Sequence, residues 1–566
     1  MRCKSPWPRR DPTPLSESEA APTDDVRGTG HPFAPRPIMA NVFDPTAANI
    51  TLFGALLETI KRGGADRMAL EDVERQPITY GRLALGALVL GHALTGETRR
   101  SETVGVLLPN VSGLAVLVFG LNAFGRVPAL LNFSTGLKNL KSAIQTGGIR
   151  RVITSRRFIG TAKLEDAIAA LAQMEVAPGR KLAITYLEDV RKNIGLADKV
   201  RGAVRSKFAA RVHRKHGLAP GQPAVILFTS GTEGAPKGVV LTNANLVANA
   251  QQIFAHADGF LTRDEIVVNP LPMFHSYGLT AGTLMPLLSG MKVVLYPSPL
   301  HYKEIPKLIG ATRATVLFAT DTFLQGYARA ADANDLKSVR YVIAGAERIK
   351  DQTRAMWAKY GTTILEGYGA TECAPVLCCN LPNRTKPGSV GPLLPGIEAR
   401  LEAVPGIDSG GRLVVRGPNV MAGYMLADKP GVLVPTKDGW HDTGDIVEID
   451  AAGLVSIKGR AKRFAKIGGE MISLAAVETM VAGIWPENNC VVLSVPDERK
   501  GEQLVLVTDR VGAERGALLS AAKTDGVPEL WVPRSILVVE QIPVLASGKV
   551  DFVATSEMIG ERNGAP

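Results

Sequence analysis

The sequence predicts an α/β protein: a large N-terminal domain of helix-flanked sheets with a small β-barrel subdomain, followed by a small α+β domain. Three observations carry this expectation. From about residue 50, short apolar runs alternate with helix-like spacing, the mark of parallel sheets covered on both faces. Beyond Gly388 the pattern changes to short strands split by Gly and Pro, a small barrel-like region. From about Gly459 to Phe552 strands mix with a helix in a block of separate character.

The elements follow in order. Residues 1–38 hold eight of the 37 prolines with mixed charges and few apolar residues, so a disordered tail is expected over 1–45. This stretch lacks the apolar core of a secretory signal, and Met39 offers an alternative start. Residues 52–60 have helical spacing, 104–108 form a short apolar strand, and 111–123 return to helix. The run 111–133 is interrupted by Asn122, Arg126 and Pro128, so a buried helix leading into a strand is expected there. A membrane span needs about 18 unbroken apolar residues. Further strands are expected at 151–154, 183–186, 224–228, 293–296, 316–319 and 341–344. Thr242 or Asn243 can cap a helix whose apolar face includes Leu246, Val247, Ala250, Ile253 and Phe254.

Composition narrows the function classes. Hydrophobic residues make up 45% and charged residues 21%, as in a globular protein with a filled interior. The five cysteines are odd in number and lack zinc-ligand pairing, which points to a reducing cytoplasm. The net charge of +11 suits nucleic acid, anionic lipid or an acidic protein; with 5% aromatic residues and no nucleic-acid motif, nucleic acid ranks last. Between 191 and 215 there are nine Lys/Arg against one acid, Asp198, and Leu196, Val200, Val204, Phe208 and Val212 recur every four residues. That pattern describes a basic amphipathic helix for a membrane surface or an acidic protein, and equally a solvated surface helix.

The chemistry begins at Thr229-Ser230-Gly231-Thr232-Glu233-Gly234-Ala235-Pro236-Lys237-Gly238, which packs three glycines, three hydroxyls and one lysine between two apolar runs. Glycines let backbone N–H groups approach an anion, and the hydroxyls and Lys237 add donors and charge, so the loop is expected to bind phosphate. It is not the common nucleoside-triphosphate loop, because Pro236 stands five residues after Gly231 where that motif needs Gly. A second motif, Glu366-Gly367-Tyr368-Gly369-Ala370-Thr371-Glu372, makes a tight turn presenting a ring, a hydroxyl and a hard carboxylate suited to Mg²⁺ beside a polyphosphate. By itself it also describes an ordinary turn with a surface glutamate. In Trp440-His441-Asp442-Thr443-Gly444-Asp445 the last carboxylate can accept both hydroxyls of a ribose. Gly459-Arg460-Ala461-Lys462-Arg463 follows, and Ser547-Gly548-Lys549 lies near the end.

Taken together and in this order, these pieces resemble the adenylate-forming superfamily of acyl-CoA synthetases, nonribosomal-peptide adenylation domains and luciferases, over roughly residues 50–555. The resemblance implies ATP and Mg²⁺ as cofactors, with 229–238 cradling the triphosphate and Gly345, Ala346, Glu347, Tyr368 and Gly369 around the adenine. It implies Thr371 at the α-phosphate, Glu372 on Mg²⁺, and Asp445 and Arg460 on the ribose. Lys549 would reach the α-phosphate and carboxylate, Lys462 would sit at a hinge, and Gly469 would line a thiol tunnel. His275, in Leu271-Pro272-Met273-Phe274-His275-Ser276-Tyr277-Gly278, matches a histidine beside the acyl pocket; a packed core histidine is the competing reading. The implied division is an adenylation domain at 46–458, a hinge at 459–466 and a mobile C-terminal lid at 467–560.

Longer stretches narrow the resemblance. Tyr296-Pro297-Ser298-Pro299-Leu300-His301-Tyr302, the segment 459–466, and Val404-Pro405-Gly406-Ile407 near Gly410-Gly411-Arg412 look closest to one group. It is the acyl-acyl-carrier-protein synthetase half of bacterial bifunctional 2-acylglycerophosphoethanolamine acyltransferases. The acyltransferase half carries His-x-x-x-x-Asp, and none of the eight histidines here has Asp five positions later. A stand-alone ligase is therefore expected, joining a long-chain fatty acid to acyl carrier protein, with coenzyme A (CoA) as the alternative acceptor. Such a ligase would be cytoplasmic, with peripheral contact to the inner face of the plasma membrane, and would feed phospholipid re-acylation.

Overall fold

The computed structural model describes residues 43–229, 236–257, 259–405, 407, 409–467, 470–497, 501–524, 526–544 and 550–563. The tail expected over 1–45 lies almost wholly outside them. Two eight-stranded mixed sheets form the large domain. In one, Thr363–Gly369, Tyr341–Ala344, Val316–Ala319, Ile266–Asn269, Lys292–Leu295 and Met68–Glu71 run parallel. Val376–Cys379 and Ile78–Thr79 close its two edges in antiparallel fashion. In the other, Pro223–Thr229, Val127–Leu130, Thr103–Val106, Arg151–Thr154 and Ala183–Tyr186 are parallel. Antiparallel strands Lys237–Thr242, Gly423–Leu426 and Lys429–Pro435 extend it.

The central strands read as unbroken apolar runs because they are buried on both faces: every residue of Val316–Ala319 and Val127–Leu130 is buried. Helices Leu52–Gly63, Ser112–Ala123 and Asn243–His256 lie in one core shared by both sheets. A second core covers the far face of the second sheet.

Helix Asn243–His256 starts as its sequence predicts. The Thr242 hydroxyl accepts from Asn245 N–H at 3.1 Å, and the Asn245 side-chain Oδ1 accepts from Thr242 N–H at 2.9 Å. Its buried amides do more than the apolar pattern suggests. Asn243 accepts from Leu52 N–H, Asn245 donates to Pro418, and Gln252 donates to Pro395. Asn249 donates to the Val376 carbonyl at 2.8 Å and accepts from Val376 N–H at 3.0 Å. His256 donates to Cys379 O. One helix thus ties the loop before 423–426, the edge strand Val376–Cys379 and the chain entry at Leu52 together.

Two expectations are corrected, and one element was not foreseen. The region beyond Gly388 is a five-stranded antiparallel sheet ordered Ser389–Pro392, Leu454–Arg460, Trp440–Ile449, Gly411–Arg416, Glu398–Glu402. Gly423–Leu426 and Lys429–Pro435 leave it for the large sheet, because Gly423–Met425 pair with 238–240. The basic stretch is two helices, Leu196–Lys207 and Ala209–His216, broken at Phe208 (φ −119°, ψ 29°). Residues 277–284 form a π-helix that the apolar spacing did not announce.

The small domain has its own core and sheet of Glu470–Ser473, Phe464–Ile467, Gly501–Thr508, Cys490–Asp497 and Ser535–Val538, with helix Leu474–Ile484 against it. The 3₁₀ turn Ala461–Arg463, which holds the Lys462 backbone, joins Leu454–Arg460 to Phe464–Ile467. Between this domain and the large one, Arg348 donates to Thr479, Lys350 to Asn489 and Gln352 to Glu487. These are exposed polar contacts of the kind that let domains move.

Candidate functional site

The site is built where the ends of three sheets meet. Strands Pro223–Thr229 and Lys237–Thr242 pair as the two arms on either side of the glycine-rich segment, with Thr229 opposite Lys237. Ser230, Gly231, Thr232, Glu233 and Gly234 lie outside the described residues. Lys237 is exposed, and its Nζ stands 5.3 Å from the centre of the Tyr424 ring. Tyr424 comes beside it because its strand pairs Tyr424 with Val239.

Tyr424 donates its hydroxyl to Glu372 Oε1 at 2.8 Å. Burial, reinforced by the Glu372 charge, pushes the Tyr424 hydroxyl well above the usual phenol range, so it stays a donor. Glu372 sits in the 3₁₀ turn Thr371–Cys373. The Glu372 carbonyl accepts from Met421 N–H at 2.7 Å, and Asn419 donates to the Cys373 carbonyl. Ser276 donates to Thr371 Oγ1 at 3.2 Å, linking this turn to the segment carrying His275.

Tyr368 ends strand Thr363–Gly369 and donates to Asp445 Oδ2 at 2.6 Å. Asp445 and Arg460 face each other across an antiparallel pair, and Arg460 Nε meets Asp445 Oδ1 at 3.0 Å. The carboxylate is buried while the guanidinium is exposed, so the pair presents Arg460 outward. Burial, then the Asp445 charge, pushes the Tyr368 hydroxyl far above its ordinary value. The next residue has no room for a side chain: a Cβ on Gly369 would stand 2.1 Å from the Pro375 carbonyl oxygen.

Gly345, Ala346 and Glu347 follow strand Tyr341–Ala344. Gly345 lies against the Tyr277 ring, whose hydroxyl donates to Ile343 O, and Ala346 takes a left-handed φ of +71°. The Glu347 carboxylate accepts from Thr322 N–H at 2.9 Å and from the Thr322 hydroxyl at 3.0 Å. It therefore caps helix Asp321–Ala330, and burial raises its pKa despite those bonds.

His275 is half-buried at the head of the π-helix, its N–H donating to Pro272 O and its ring edge-on to Phe274 at 4.8 Å. Phe274 in turn meets Phe133 at 5.2 Å, an aromatic wall along this side. Lys549 and Gly469 lie outside the described residues, as does the Lys462 side chain.

Two site residues escaped the sequence reading. Tyr424 carried no signal, since only the pairing of distant strands brings it to Glu372. His441 stands inside a motif already noted; burial holds it below the usual histidine range although Glu372, Asp442 and Asp445 pull the other way. Among the described residues no three His, Cys, Asp or Glu cluster to hold a metal alone. The single carboxylate of Glu372, oriented by Tyr424, suits an Mg²⁺ that draws its other ligands from phosphate and water.

The comparisons with known proteins converge on this scaffold. A family model described as AMP-binding enzyme matches residues 57–425. Feruloyl-CoA synthase from Amycolatopsis sp is 28% identical over 491 residues, covering 84% of this chain and 92% of that protein. A long-chain-fatty-acid–CoA ligase from Salmonella typhimurium is 25% identical over 482 residues, covering 80% and 84%. ATP-bound MatB from Rhodopseudomonas palustris superposes with a TM-score of 0.75 at 24% identity, covering 91% of this chain and 99% of that one. None of these three is named as an acyl-carrier-protein synthetase, so the narrower resemblance finds no counterpart among them. The wider one does: this chain belongs to the AMP-binding enzyme family of ATP-dependent, adenylate-forming enzymes.

Proposed function

We propose that this chain is an acid–thiol ligase that activates a fatty acid as acyl-AMP and passes the acyl group to CoA. The observation that carries the reading is the pair of oriented carboxylates on one family scaffold: Glu372 held by Tyr424, and Asp445 held by Tyr368 and Arg460. The feruloyl-CoA synthase and the long-chain-fatty-acid–CoA ligase support CoA as the acceptor. Acyl carrier protein, with a place in phospholipid re-acylation, remains the rival acceptor suggested by the sequence.

In the first step a carboxylate oxygen attacks the α-phosphorus, the bond to the bridging oxygen breaks, and pyrophosphate leaves. Two anions meet, so the barrier is largely electrostatic and falls to preorganised charge and alignment. The 229–238 loop with Lys237 would grip the phosphates and Thr371 would touch the α-phosphate. The backbone of 345–347 and Tyr368 would flank the adenine. Asp445, already fixed by two donors, would accept the ribose hydroxyls beside Arg460. Glu372 would hold Mg²⁺, which supplies charge neutralisation when bound. Lys549 would reach the reacting carboxylate, and His275 would border the acyl group.

In the second step the thiol sulfur attacks the acyl carbon, loses its proton, and AMP leaves. Lys549 must withdraw for this, which rotation about Lys462 allows while Gly469 opens the thiol path. Offering CoA and acyl carrier protein side by side, with ATP, Mg²⁺ and a long-chain fatty acid, tests the acceptor. The account expects acyl-CoA as the major product; exclusive acylation of the carrier protein would overturn it.

A further inference from the structure

Helix Leu196–Lys207 is packed the wrong way round for a helix of an isolated globular protein. It lies on helix Tyr80–Leu94 through Gly202, where a Cβ would stand 2.3 Å from a Val89 methyl. Its apolar row faces outward instead. Leu196, Val200, Val204 and Phe208 are 78%, 57%, 54% and 59% exposed. Four-residue spacing keeps them on one slowly turning line about 18 Å long at 1.5 Å per residue. Phe208 stands at the corner where the two helices break.

The flanks are cationic. Lys199 and Lys207 border the row on one side and Arg201 on the other, all exposed. Arg191, Lys192, Arg211, Arg214 and Lys215 extend the field along both ends. Asp198 is the lone acid over 191–215, and it is occupied in accepting from Gly195 N–H and pairing with Arg201 at 3.0 Å. A large exposed aliphatic row costs solubility unless something apolar covers it.

We infer that this helix lies in the interface of an anionic lipid bilayer, with Leu196, Val200, Val204 and Phe208 inserted among the acyl chains and the flanking Lys/Arg at the headgroups. Two features choose a bilayer over an acidic protein. The row is a convex ridge, which a fluid apolar layer accepts without a matching groove. Long cationic stems beside it can reach outward to phosphate while their methylenes follow the ridge. The inference does not depend on the ligase reading.

Vesicle co-sedimentation of the full chain tests it, with phosphatidylcholine alone and phosphatidylcholine mixed with phosphatidylglycerol, at low and high salt. The expected result is binding to the anionic vesicles only, weakened by salt, as surface charge requires. A Leu196→Ser/Val200→Ser/Val204→Ser variant should lose about tenfold or more in partitioning, since it removes three inserted aliphatic side chains. Its far-UV circular dichroism and melting curve should be unchanged, because these side chains are exposed in the free protein. Absence of vesicle binding, or binding indifferent to the triple substitution, would overturn the inference. So would light scattering in which the wild type is a dimer and the variant a monomer, because the row would then face a second copy of this chain.

Discussion

Tyr368 shows how much of the site rests on single hydroxyls. Its donation to Asp445 at 2.6 Å is matched by Arg460 on the other carboxylate oxygen, so a buried charge is satisfied from two sides. Tyr368→Phe removes one donor and keeps the ring. Since Asp445 is assigned to binding rather than to the reacting atoms, the expected change is a rise in KM for ATP of about tenfold with kcat nearly unchanged, the size of one hydrogen bond to a charged group. Steady-state kinetics over ATP concentration check this; a fall in kcat at constant KM would place Tyr368 in the chemical step instead. The motif around Tyr368 was legible only together with the other motifs and their order, because a Gly/Tyr turn before a glutamate by itself describes an ordinary surface turn. Its partner Asp445 was legible as a carboxylate after Thr-Gly, but not its buried pairing with Arg460. At Glu347 the family resemblance implied a place beside the adenine, and the structure adds what the sequence did not show, a carboxylate that accepts from Thr322 N–H at the helix start.

At the scale of elements, the helix after the phosphate loop is the tie that holds the site together. Asn249 serves both backbone groups of Val376, at the outer edge of the strand that follows the Thr371–Cys373 turn. Asn249→Ala leaves the part-buried N–H and C=O of Val376 without this partner, a cost of about 1–3 kcal/mol for a buried group and towards the lower end here. Thermal unfolding should show a clearly lower Tm than wild type, and an unchanged Tm would contradict the role given to this amide. The sequence announced the helix, its Thr242 cap and its apolar face, because capping and 3.6-residue spacing are local. It could not announce the Asn243, Asn245, Asn249 and Gln252 seam, since polar residues on a helix read as solvent-facing until the tertiary partners are known. The same limit hid the break at Phe208: a four-residue apolar repeat runs through it, and only packing against Tyr80–Leu94 decides which face is covered.

Over the whole molecule, the strands were legible and their order was not. Arg151–Thr154, Ala183–Tyr186, Val316–Ala319 and Tyr341–Ala344 fall where apolar runs place them, and Val316–Ala319, buried at every residue, shows why a strand covered on both faces needs such a run. The pairing of Gly423–Leu426 with the strand after the phosphate loop spans about half the large domain in sequence and has no local mark. Yet that pairing brings Tyr424 to Glu372, and with it the oriented carboxylate on which the proposed chemistry turns. Exposed polar contacts cross between the small domain and the large one, and Ser473 donates to the Lys458 carbonyl beside them; the proposed two-step chemistry would require the small domain to rotate across this seam. The central claim, carboxylate adenylation at this site, is tested most directly by isotope exchange between pyrophosphate and ATP. The account predicts label in ATP only when a fatty acid and Mg²⁺ are both present; no exchange by folded, ATP-binding protein across a series of fatty acids would contradict it.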